Sequence, residues 1–131
     1  MNPSNLAQNM YQKTAAQTAS PEKLLLMLYD GAIKHTKAAL KGLHDCRNED
    51  AHVHLLKVQE ILEELIISLN MDYEISKHLR SLYEYFISKL VEANVSKDTA
   101  GVELVLDFLS ELRETWAQAA QQVARVARYG G

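Results

Sequence analysis

The sequence predicts an all-α protein, an antiparallel up-down four-helix bundle with a short N-terminal capping segment. Three observations predict it. No proline occurs from Glu22 onward, so nothing interrupts a long helix from within. Apolar residues recur at spacings of three and four, and β-branched alternation is absent. Short polar turns divide the periodic pattern into four amphipathic segments, which pack most simply as antiparallel neighbours.

Taken in order, residues 1–19 are rich in Asn, Gln, Ala, Ser and Thr. Leu6, Met10 and Tyr11 give this stretch a small apolar face, and with Gln12 they form the candidate cap. Ser20-Pro21-Glu22 is a helix start: a capping hydroxyl, a proline at the first helical position, and an acid at the positive dipole end. The first helix is expected from Pro21 to Leu43, with Leu25, Leu28, Tyr29, Ala32, Thr36, Ala39 and Leu43 inward. His44 to Asp50 reads as a turn.

The second helix is expected from Ala51 to Asn70 with Leu55, Val58, Leu62, Leu65 and Leu69 inward, the spacing of a bundle seam. The third runs from Ile75 to Asn94, with Ile75, Leu79, Leu82, Tyr83, Phe86, Leu90 and Ala93 inward. Asp98 or Thr99 caps the fourth, expected from Ala100 to Arg128. Its inward stripe reads Val105, Phe108, Leu112, Trp116, Ala119, Val123 and Val126. The chain thus divides into a cap over 1–19, a bundle over 20–128 and a tail over 129–131.

Leu24, Leu25, Leu26, Met27 and Leu28 follow one another without a polar residue. At about 100° per residue this run wraps the whole helix, and one packing face can bury only part of it. Leu26 and Met27 fall off the seam, with Leu24 and Ile33 on its flanks. On the other helices Ile67, Tyr85, Val91 and Leu106 fall off theirs. Burying one such side chain is worth roughly 1.5–3 kcal/mol. Either residues 1–19 cover this surplus, or it borders grooves for a partner's amphipathic helices, a role that the adaptable thioether of Met27 suits.

Composition excludes several classes. The net charge is −3 over 131 residues with no densely basic stretch, so nothing marks a nucleic-acid footprint. Cys46 is the sole cysteine, so no intrachain disulfide can form. Residues 1–19 lack the charged start and apolar core of a secretion signal, and no apolar run approaches the ~18 residues of a membrane span. A cytoplasmic protein is expected.

Metal chemistry finds little support. A di-iron bundle needs Glu-x-x-His on two helices, and Glu49 to His52 is a single match placed in a turn. His44 with Cys46 and His52 with His54 are spaced too closely for the usual zinc pattern. Glu60, Glu63 and Glu64 read as a solvated face, paired locally with Lys57. No nucleophilic triad and no phosphate loop is legible. No enzyme, metal or cofactor is expected.

Several segments together resemble a known family. Tyr11-Gln12, the stretch Thr18 to Ile33 containing LLLMLYDGAI, Lys57 to Leu65, Leu82 to Tyr85, Leu90 to Asn94 and Leu112 to Trp116 are similar to the flagellar secretion chaperone family, FliS. The resemblance spans about residues 10 to 118, in order and at the family's spacing. It implies a cytoplasmic bacterial export chaperone that binds the C-terminal region of flagellin. The chaperone would block premature polymerisation and keep flagellin competent for flagellar type III export.

The resemblance places Tyr11 and Gln12 in a cap over the binding surface. It places Leu24, Leu26, Met27 and Ile33 in the first-helix motif; Ile67, Tyr85, Val91 and Leu106 join them by wheel geometry. Other flagellar export or regulatory proteins are further candidate partners, and weak self-association through the same grooves is the competing expectation. Neither nucleic acid nor membrane insertion is expected.

Overall fold

Ser20 opens the first helix as its residue type requires, its hydroxyl accepting from the Lys23 N–H at 3.2 Å. The computed structural model describes residues 20–129. It shows four helices, α1 Pro21–His44, α2 Asn48–Ile67, α3 Glu74–Ser96 and α4 Thr99–Tyr129. α1 packs on α2 and α4, and α3 also packs on α2 and α4, so the helices close a ring of antiparallel neighbours. The all-α bundle expected from the periodicity is what the chain forms.

The core fills the axis of that ring. Leu55, Val58, Leu62 and Leu65 of α2 lie fully or almost fully buried, as their seam spacing requires. Opposite them stand Tyr83, Phe86 and Leu90 of α3 and Val102, Val105 and Leu109 of α4. α1 contributes small side chains, Ala32, Thr36 and Ala39, and two large ones, Tyr29 and Leu43. Thr36 satisfies its hydroxyl on the Ala32 carbonyl at 2.7 Å.

Tyr29 and Tyr83 reach across the axis and join hydroxyls at 2.5 Å. Burial pushes both phenols above the usual tyrosine range. Both therefore stay neutral, one donating and one accepting, and the pair ties α1 to α3 where an apolar core would leave their level free.

Small residues set the closest approach. A Cβ on Gly42 would stand 3.0 Å from the Ala51 backbone nitrogen, so this glycine is what lets α1 and α2 touch near their connection. Lys97 takes the left-handed conformation at φ 61° to end α3, and its N–H returns to Ala93 at 2.7 Å. Asp98 then caps α4 by accepting from Ala100 at 3.1 Å, the role expected of Asp98 or Thr99.

Two expectations about the elements need correction. α2 begins at Asn48 and ends at Ile67, three residues earlier at each end than Ala51 to Asn70. Glu49 and Asp50 sit in its first turn, where the helix dipole favours acids, so the polar stretch helps to start the helix. The α4 seam runs through Val102, Val105, Leu109, Leu112 and Trp116, and Phe108 flanks it 38 % exposed. Ile75, Ala119, Val123 and Val126, read as inward, are exposed: Ile75 opens α3 past the end of α2, and the other three lie toward the far end of α4, where its neighbours run out.

Candidate partner-binding surface

The LLLML run opens α1 at one end of the bundle, and none of its five residues is buried. Leu25 and Leu28 pack against the core from its edge. Leu26 and Met27 are half-buried and Leu24 is exposed. Full burial on α1 starts only at Tyr29, one residue beyond the run. The surplus predicted from the helical wheel is therefore present, and it lies where the bundle is thinnest.

α4 extends this end. Phe86 faces Phe108 with ring centroids 5.6 Å apart, and Arg113 holds Asp30 at 2.8 Å. By that antiparallel register the start of α3 lies level with roughly Ala120, and at 1.5 Å per residue the rest of α4 runs about two turns further. Over those turns α4 meets only the start of α1. Leu26, Ala120, Val123 and Ala127 line an open groove between them, with Ser20 on its rim. Val126 continues the apolar stripe along the free helix.

Three further grooves lie round the bundle. Between α3 and α4, Tyr85 and Leu104 line a groove that Lys89 crosses, its ammonium 5.6 Å from the Tyr85 ring centre. Between α2 and α3, Leu56, Val91 and Val95 border another. There Asn94 donates its amide to His52 Nδ1 at 2.8 Å, joining the two helices. On α2, Ile61 and Ile67 stand among Glu60, Glu63 and Glu64, with Ile67 80 % exposed.

The candidate residues thus separate. Leu26 borders the α1–α4 groove, Tyr85 the α3–α4 groove and Val91 the α2–α3 groove, while Ile67 caps the free end of α2. Ile33 and Leu106 are half-buried, and Ile33 packs against the core, which leaves it little surface to offer. Leu6, Met10, Tyr11 and Gln12 lie outside the described residues. The wheel did not single out Met71, Tyr73 and Ile75, in and after the α2–α3 connection, or Val53, Leu56 and Val95. For Val123 and Val126 a signal existed: the periodic pattern of the fourth segment outruns the other three.

Electrostatics add one inter-helix clamp. Asp30 accepts from Arg113 Nε, and this pairing holds the guanidinium charge beyond its already firm ordinary state. Asp30 is exposed and Arg113 half-buried at the surface, so solvent screens the pair and it aligns α1 and α4 more than it stabilises them. Among the described residues no three His, Cys, Asp or Glu side chains converge as a metal ion would need. No helix there is long and apolar enough to cross a membrane.

A helical ring whose apolar side chains line open grooves defines a class: an all-α bundle scaffold with apolar grooves along its surface. Comparison with known proteins specifies it. The family model described as Flagellar protein FliS matches residues 3–123. The flagellar secretion chaperone FliS of Bacillus subtilis (strain 168) is 34% identical over 120 residues, covering 92% of this chain and 90% of that protein. The flagellar secretion chaperone FliS of Escherichia coli (strain K12) is 28% identical over 110 residues, covering 82% and 81%.

A solved structure, the crystal structure of a flagellar chaperone from bacteria, shares the fold with a TM-score of 0.73 at 21% identity, over 92% of this chain and 99% of that one. The chain belongs to the FliS family of flagellar secretion chaperones. It is thus one of a family of chaperones rather than enzymes, and a chaperone of this kind acts on a protein partner.

Proposed function

We propose that the chain binds the C-terminal segment of flagellin in the bacterial cytoplasm, holds it unpolymerised and keeps it competent for type III export. The observation that carries this reading is the distribution of exposed apolar residues. They lie in grooves round the bundle and gather at the end where α4 overshoots. A globular partner would need one continuous patch. An extended chain with short amphipathic helices can occupy several grooves in turn. Ordering such a chain on binding costs free energy, which limits affinity for its area and favours later release.

Calorimetry with the cognate flagellin tests the proposal. The expected result is a one-to-one complex that is lost when the C-terminal segment of flagellin is deleted. Binding that survives the deletion would redirect the reading to another flagellar partner. Ile67→Glu and Met27→Glu should each weaken binding with helicity unchanged, Ile67→Glu with the smaller effect on stability because it is the more exposed. In the free protein we assign Leu6, Met10, Tyr11 and Gln12 to a cap over the part of the binding surface that Leu24, Leu26 and Met27 border. Amide exchange of residues 1–19 should rise on complex formation, and protection identical in both states would remove the cap.

A further inference from the structure

His35 of α1 and His54 of α2 face each other at the middle of the α1–α2 seam. Their Nδ1 atoms are 3.0 Å apart and their rings stack at 5.2 Å. Among the described residues this is the only side-chain hydrogen bond between α1 and α2. The seam is otherwise held by close packing, with Gly42 against Ala51 on one side of the pair and Gly31 against Ile61 on the other. We propose that the His35–His54 pair is a proton-sensitive clamp, closed at neutral pH and released on acidification.

The proton count explains the behaviour. In the neutral pair one imidazole carries its proton on Nδ1 and donates it to the bare Nδ1 of the other. A first added proton can settle on the outer Nε2 of the donor, and the bond survives. A second must settle on the accepting Nδ1. Two N–H groups then point at each other across 3.0 Å, and the hydrogen bond is lost.

The surroundings oppose that second proton. Lys34 on α1 and Lys57 on α2 face the pair, and Asp50, one turn before His54, is engaged with Arg47 at 3.1 Å. No carboxylate among the described residues lies within ion-pair distance of either ring. Partial burial, then the fields of His54, Lys34 and Lys57, hold the His35 imidazole below the usual histidine range. His35, the ring that resists a proton, is assigned the accepting role in the clamp.

The sign follows from linkage. A group whose folded value is depressed leaves the unfolded chain binding more protons in the window below the ordinary histidine value of about 6.5. The clamp therefore contributes fully above that value. Its contribution falls as pH drops through the folded value of His35.

Histidine-resolved NMR of the full chain between pH 8 and 5, with EDTA present, tests the clamp. His35 should titrate below its ordinary value and carry its neutral proton on Nε2, and His54→Gln should move its titration upward. Thermal unfolding should show the wild type losing about 3–5 °C more than His35→Gln between pH 7.5 and 5.5. A His35 that titrates at or above the ordinary value, or that ignores the His54→Gln change, overturns the proposal. So does an equal pH slope of Tm in wild type and variant. Should either variant fail to fold, the wild-type titration and tautomer alone decide.

Discussion

The two ends of the bundle are built differently. At one, residues 45–47 join α1 to α2 and residues 97–98 join α3 to α4. Gly42 meets Ala51 there, and Ala51, Ala93 and Val102 are buried beside the turns. At the other end residues 68–73 make a longer connection, α1 begins, and α4 runs on past its neighbours. Seven of the thirteen large exposed apolar side chains among the described residues lie at this second end, Ile67 and Val126 among them. Short turns with small residues let helices pair along their whole length. A helix longer than its partners cannot, and it leaves an apolar stripe that only another chain segment can cover.

This contrast can be broken or sharpened by substitution. The largest effect belongs to the axis: Phe86→Ala removes a fully buried ring and should cost about 3–5 kcal/mol in urea unfolding. Next comes the closed end. Gly42→Ala places a methyl against the Ala51 backbone and should cost about 1–3 kcal/mol, with α1 and α2 forced apart. A neutral result would mean that this end is no tighter than the other.

Arg113→Ala removes the surface clamp on Asp30 and should cost about 0.2–1 kcal/mol, less in high salt. The smallest effect belongs to the open end. Ile67→Ser and Val126→Ser should each stay within about 0.5 kcal/mol of wild type. A loss several times larger at either position would show it to be covered in the free protein, and the two ends would then be alike.

Much of this was legible beforehand. The period of three and four gave the helices and nearly all of the α2 seam, because burial on one face leaves a direct trace in residue order. Ser20 and Asp98 gave their caps because capping depends on residues two or three apart. The surplus in Leu24 to Leu28 was visible for the same local reason, and a family resemblance gave it a use. The grooves were less legible. The wheel put Ile33 among free residues and Val126 among buried ones, since it ranks faces without knowing where a neighbouring helix stops.

The sequence by itself determined the helices, their caps and the presence of more apolar surface than one seam can bury. These are short-range matters, settled by hydrogen bonding and side-chain period within each segment. Only the tertiary structure decided where that surplus lies. The overshoot of α4, the separation of Leu26, Ile67, Tyr85 and Val91 into different grooves, and the meeting of His35 with His54 all depend on helix register. Register is set by packing across the axis, by Tyr29 against Tyr83 and Gly42 against Ala51, between residues that no local pattern connects.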